Sequence, residues 1–197
     1  MQIKLNEQTL EITAAQVTSL HQILDQVTAQ LPDTAIITGI VLNDRELEDD
    51  WVRQQDSLYV MEEDKLQIIT RHAGDLGQEA FQQSHGQFAA IRENFESIAE
   101  MLRVEDEAKA NAFLAQTVDN LQTYFRIIQE SLILMGRSFN DLTIDGKPAP
   151  RFMEEFSTKL SEMIDIQHGK DWVLLADVIE YELVPLLCKV DDIYKNA

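Results

Sequence analysis

Three carboxylates stand inside one strongly apolar stretch near the end of the chain. Asp177, Glu180 and Glu182 interrupt Asp171–Val190, DWVLLADVIEYELVPLLCKV, with Tyr181 between the two glutamates. A carboxylate held against apolar surroundings is costly unless it is paired, and is then a candidate for a shifted pKa or for metal ligation. At helical spacing Asp177 and Glu180 share a stripe flanked by Val173 and Val184, whereas Glu182 points elsewhere. The competing explanation is structural: a cation on a neighbouring helix, such as Arg92, Arg126 or Arg137, or exposure on the wet side of the helix. Asp177, Glu180, Tyr181 and Glu182 are therefore the candidate polar cluster, for binding or for structure.

Other site chemistries fail on spacing. A di-iron bundle needs a Glu-x-x-His pair on each of two helices and two further inward glutamates. The nearest match is Asp165-Ile166-Gln167-His168, with aspartate at a helix end, and Gln82-Gln83-Ser84-His85 does not supply a second. His21, His72, His85 and His168 are scattered, without triad or zinc spacing. Glu93, Glu96 and Glu100 line one helix face and read as a solvated surface. Cys188 has no histidine beside it in sequence and reads as a small apolar residue. No glycine-rich phosphate loop and no basic stripe with interleaved aromatics is present. These readings assign no catalytic residue, no cofactor and no metal.

The elements around the carboxylates follow from periodicity. Trp172, Leu175, Ala176, Ile179, Leu183, Leu186, Leu187 and Val190 recur at three and four, and Leu174, Val178, Tyr181 and Pro185 make a second stripe. A helix apolar on so much of its surface is expected to be covered on several sides, as the central stave of a bundle. Pro185 should kink it and free the carbonyl of Tyr181. Upstream, Phe81, Phe88, Ile91, Phe95, Ile98 and Leu102 keep heptad register, broken only by Ser84. Gly86 lies within that pattern and marks a bend or a close contact, at about 1 kcal/mol against alanine. Glu105-Asp106-Glu107 makes a break and an acidic helix start. Leu114, Val118, Leu121, Phe125, Ile128, Leu132 and Met135, closed by Gly136, form the next helix. Asn140–Pro150 is a connection with an Asp145-Gly146 turn. Phe152, Phe156, Leu160, Met163 and Ile164 mark a further inner face, ended by His168-Gly169. Residues 76–197 are thus expected to form an antiparallel four-helix bundle. The same heptads could serve a homodimer.

Residues 1–72 read differently. Ile3 and Leu5 alternate with Gln2 and Lys4, Asn6-Glu7-Gln8 offers a turn, and Leu10 and Ile12 restart the alternation, which predicts a β-hairpin. Thr18 or Ser19 caps a helix with Leu20, Ile23, Leu24, Val27 and Leu31 inward, stopped by Pro32. Strand candidates follow at Ile36–Leu42, with an Asn43-Asp44 turn, at Leu58–Met61 and at Leu66–Thr70. Hairpin, helix and further strands, with the Val41–Leu47 strand–turn–strand step, resemble the β-grasp fold in its ubiquitin-like and ThiS/MoaD-like branch. That branch's carrier chemistry needs a terminal diglycine. Here the exit is Arg71-His72-Ala73-Gly74-Asp75, so the resemblance implies a binding platform and not a sulfur carrier. Gly74-Asp75-Leu76-Gly77 is the expected joint between the two parts, and the fold class is α+β.

Composition narrows the partners. The chain of 197 residues carries a formal net charge of −19. Acids outnumber bases thirteen to four in residues 1–70 and twenty-two to twelve in the remainder, so the charge is not an acidic tail. Such a field disfavours nucleic acid and anionic membrane surfaces and suits a soluble, acidic surface, a basic partner or a nucleic-acid mimic. One cysteine, no signal-peptide pattern and no apolar run near the roughly 20 residues of a membrane span predict a cytoplasmic protein. The Leu-Leu-Ala-Asp-Val-Ile-Glu-Tyr-Glu-Leu-Val-Pro-Leu-Leu run is similar to uncharacterised helical domains of bacterial cytoplasmic proteins. The expectation is a non-enzymatic protein-interaction module whose partner is another protein, basic or presenting an amphipathic helix. The alternatives are an export or secretion chaperone of the flagellar type and a carboxylate metal-binding bundle enzyme.

Overall fold

The computed structural model describes residues 2–10, 17–48, 51–54, 56–104 and 107–196. It divides into two compact units, Met1–Leu76 and Gly77–Ala197, each with its own apolar core. The expected positions of Ile12 and of Glu105-Asp106 lie outside the described residues.

In the first unit β1 (Gln2–Leu5) and β2 (Gln8–Leu10) form a hairpin around Asn6, which takes φ 54°. A short strand the sequence reading did not foresee, β3 (Val17–Ser19), leads into α1 (Leu20–Thr28). Of the two capping candidates Ser19 does the work: its Oγ accepts the Gln22 N–H at 3.3 Å. β4 (Ala35–Leu42) turns into β5 (Arg45–Glu46) through Asn43 and Asp44. Both residues have positive φ, the two-residue turn whose twist matches a hairpin. After α2 (Trp51–Gln54), β6 (Tyr59–Met61) pairs with β3, and β7 (Lys65–His72) enters the main sheet. The order is β2-β1-β7-β4-β5, with β1 and β7 parallel and every other pair antiparallel.

Alternation then decides which side is buried. Ile3, Ile40, Leu66 and Ile68 of the sheet share a core with Leu20, Ile23, Leu24 and Val27, the inward face of α1. A parallel middle pair made by the first and last strands, with one helix against the sheet, is a β-grasp-like arrangement.

The second unit is helical. α3 spans Ala73–Arg103, so the Gly74–Gly77 segment expected as a joint is the first turn of a helix. α4 is Glu107–Leu134 and α5 is Ala149–Gly169. The closing helix is a continuous run of α6 (Trp172–Val178), a π turn (Ile179–Leu183) and α7 (Val184–Val190), followed by α8 (Asp192–Asn196). Neighbours run antiparallel. Phe88 stacks on Tyr124 with centroids 4.6 Å apart, Phe125 meets Phe156 edge-on at 5.9 Å, and Arg92 and Arg103 reach Asp191 and Asp177 in reverse order along the closing helix.

This unit corrects the expected four-helix bundle. With the closing run taken as one, five helices are present among the described residues of this unit, because the chain after Val190 turns into α8 and buries Ile193. The Asn140–Pro150 connection is also structured. After a 3-10 turn at Phe139–Asp141, β8 (Thr143–Ile144) and β9 (Lys147–Pro148) form a hairpin on Asp145 and Gly146, both with positive φ. Leu142 and Ile144 plug the core from there.

The closing helix is not a central stave either. Its first stripe is buried, from Leu175 to Val190, but Val173, Leu174, Tyr181 and Pro185 are exposed. Its ion pairs run to α3 and α5, so neighbours cover one side and leave Leu174, Tyr181 and Pro185 of the second apolar stripe to solvent, while Val178 of that stripe is buried. Pro185 acts through a wide turn. It has no N–H, and its ring crowds the carbonyl four residues back; the preceding Val184 N–H reaches five back, to Ile179.

Two glycines of α3 have opposite reasons. A Cβ on Gly77 would lie 2.5 Å from the Ser131 carbonyl oxygen and 2.9 Å from Leu134 Cβ, so the start of α3 and the end of α4 approach too closely for any side chain. Gly86 faces open space, so of the two alternatives expected there, a bend or a close contact, the contact does not exist.

Candidate functional site

The closing helix presents its carboxylates along one partly exposed edge. The Arg103 guanidinium, at the last turn of α3, donates to Asp177 Oδ1 from Nη2 at 2.8 Å and forms an ion pair with Glu180 Oε2 through Nη1. The two acids stand three residues apart on the helix, and one planar cation reaches both. Asp177 and then Glu180 hold the Arg103 guanidinium above its usual pKa by these bonds. Glu182 faces α5 and accepts from Lys159, which also serves Glu162; bonds to Glu162 first and Glu182 second raise the lysine pKa. Tyr181 is 66% exposed. The expected cluster is therefore two ion-paired groups pointing to different neighbours. The cation on Asp177 and Glu180 is Arg103 and none of the three arginines anticipated: Arg92 pairs with Asp191 at 3.3 Å, and Arg126 stands in a groove described below. Arg103 went unnoticed because its partners lie some seventy-five residues on, a distance that helical spacing cannot bridge.

A second polar system lies in the helical core and was not foreseen. Tyr194 of α8 places its hydroxyl 2.7 Å from Ser84 Oγ and 2.8 Å from the Tyr124 hydroxyl. Ser84 also donates to the Phe81 carbonyl at 2.6 Å. The His85 and Phe81 rings lie against Tyr194, with centroids 4.4 and 4.9 Å away. Burial pushes both phenols above the usual tyrosine value. Tyr194's bonds to Ser84 and Tyr124 act against that rise without cancelling it. The sequence did carry one signal, since Ser84 alone breaks the heptad register of α3. That break is the polar notch into which the α8 tyrosine fits.

The third feature is concave. α4 and α5 flank an open apolar groove, traced by two contiguous hollows of about 350 and 300 Å³ that share Val118, Gln122 and Leu160. One end is lined by Leu114, Met163 and Ile164, the other by Phe125, Met153 and Phe156. The heptad positions of α4 and the inner face of α5 supply this lining, and it is incompletely covered: Ile164 is 51% exposed. Asn111 and Gln167 hydrogen-bond between the two helices towards one end. From Leu114 to Gln129 the groove follows α4 for about 22 Å at 1.5 Å per residue.

Among the described residues no group of three or more His, Cys, Asp or Glu side chains could hold a metal ion. Among them, too, no helix is long and apolar enough to cross a membrane.

Fold and site together define an α+β protein, a β-grasp-like sheet unit followed by a helical unit with an open groove. The helical part places it in a family: the model described as "Domain of unknown function (DUF8042)" matches residues 79–192, more than half of the chain, and the protein belongs to that family. No curated protein matches the sequence. Among solved structures, the thiamine biosynthesis protein ThiS from Geobacter metallireducens is similar to 34% of this chain and 90% of its own, at 16% identity and a TM-score of 0.25. A likeness of that size carries no weight for function, and the β-grasp-like description rests on strand order.

Proposed function

We propose that this protein is a non-enzymatic interaction module whose helical unit takes up an amphipathic helix of another protein between α4 and α5. The observation that supports it is the groove itself: continuous, apolar along its floor, open to solvent and long enough for about four helical turns. An amphipathic helix lays its apolar face there on the part-exposed Val118, Met153, Leu160 and Ile164, above the buried Leu114, Phe125 and Phe156. The surplus of acids, nineteen over the whole chain, favours a partner with basic flanks by speeding encounter. The most conspicuous carboxylates, Asp177 and Glu180, share Arg103 and so favour an architectural role for that edge.

The test is titration of the full chain with a fluorescent 18-residue amphipathic Leu/Lys peptide, followed by anisotropy. Saturable binding is expected in the micromolar range. Val118→Asp should weaken it at least tenfold while circular dichroism remains that of the parent. Absence of binding, or binding indifferent to Val118→Asp and to Leu160→Asp, would overturn the proposal.

A further inference from the structure

Each half of the groove is lined by a single charged residue, and the two have opposite sign. Asp119 lines the half with Leu114 and Ile164; Arg126 lines the half with Phe125 and Met153. They stand seven residues apart on α4, two turns, which separates them by about 10 Å along the axis. Neither has an ion-pair partner among the described residues, although Arg92, Arg103, Lys147, Lys159, Lys189 and Lys195 are all paired. An acid and a base, one heptad apart beside an apolar floor, ask for the opposite pair on whatever lies there.

The geometry points to an occupant of one kind: an amphipathic helix of a partner protein that carries a base and an acid one heptad apart beside its apolar stripe. The base faces Asp119 and the acid faces Arg126. The apolar floor supplies affinity without preferring a direction. The charge pair supplies the register and the direction, because a reversed helix sets base against Arg126 and acid against Asp119. This inference rests on the docking reading above and adds the partner's charge pattern and polarity to it.

The experiment uses two 18-residue peptides with the same apolar stripe. One has Lys followed seven residues later by Glu; the other has Glu followed by Lys. Each bears a nitroxide at its amino terminus, and paramagnetic broadening is read in the full-length protein. The Lys-first peptide should broaden signals around Asp119 and the Glu-first peptide those around Arg126. The double variant Asp119→Lys/Arg126→Glu should exchange the two patterns. Asp119→Ala and Arg126→Ala should each weaken binding about two- to fivefold at low salt and less at high salt, as solvent-exposed pairs do. Binding of both peptides with one broadening pattern, unmoved by the double variant, would overturn the charge assignment and leave docking intact. Failure of both peptides to bind would overturn docking and this inference together. A dimer seen by light scattering, dissociated by Val118→Asp but not by peptide, would assign the groove to a second copy and overturn both.

Discussion

The hydroxyls of Tyr124 and Tyr194 lie 2.8 Å apart, seventy residues distant in sequence, and tie α8 to the middle of α4. A five-residue helix has no stability of its own, so α8 depends on Ile193, on this bond and on the one to Ser84. Tyr194→Phe removes both bonds and leaves the buried Tyr124 hydroxyl without its partner, at an expected cost of about 1–3 kcal/mol in denaturant unfolding. A cycle with Tyr124→Phe should show coupling of about 0.5 kcal/mol or more, and strict additivity would refute the linkage. The phenols also set an alkaline limit. Their folded pKa values lie above the ordinary 10.0, so this contribution is complete below that pH. It is lost as pH rises from there towards the higher folded values, when only the unfolded chain releases protons. The double Phe variant should lose less stability between pH 9 and 11 than the parent.

Gly77 and Gly86 lie on the same helix and predict opposite outcomes for one substitution. Gly77→Ala drives a methyl against the Ser131 carbonyl and should destabilise by about 1–3 kcal/mol. Gly86→Ala meets nothing and should stabilise by up to about 1 kcal/mol through helix propensity. Thermal unfolding of the two variants side by side checks both signs.

Arg103→Met leaves Asp177 and Glu180 facing each other without their cation. These groups are partly exposed, so the loss of stability should be small and should shrink as salt screens the two acids. Unfolding midpoints at low and high ionic strength measure it. A large loss that salt does not touch would contradict the surface role given to this edge.

In the sheet unit Asp64 binds two turns together. It accepts the Asn43 side-chain amide at 2.7 Å and the Met61 N–H at 2.7 Å, while Asn43 accepts the Lys65 N–H at 3.0 Å. Those two bonds, Asn43 first, hold the carboxyl below its ordinary 3.8. The stabilisation is therefore present above about pH 4 and is lost as pH falls through the lower folded value. Asp64→Asn should flatten the acid side of the stability curve relative to the parent; an unchanged slope between pH 2 and 4 would refute the clip.

Much of the local structure was legible. Leu20, Ile23, Leu24 and Val27 declared one face of α1, the Phe81–Leu102 and Leu114–Leu132 heptads declared α3 and α4, and Asn43-Asp44 and Asp145-Gly146 declared turns, which the structure builds with positive φ. Each is a short-range signal, set by side-chain period or by the backbone tolerance of one or two residues. What was misread concerned covering. The two apolar stripes of the closing helix implied cover on several sides, as for a central stave, yet Leu174, Tyr181 and Pro185 are exposed. Hydrophobicity says that a face gains by being buried and not that a neighbour exists to bury it. The β8–β9 hairpin was missed because its strands are two residues long, too short for alternation to show.

Residue order alone was enough to establish two units of different periodicity, an acidic surface and a helix bearing three carboxylates, since period, charge and turn chemistry act within a few residues. Packing chose the rest: Arg103 as the cation shared by Asp177 and Glu180, Ser84 and Tyr124 as the receptacle for Tyr194, and α4 and α5 as the walls of an open groove. Each of these joins groups far apart along the chain, and only the closing of long loops around a common core brings them within bonding distance.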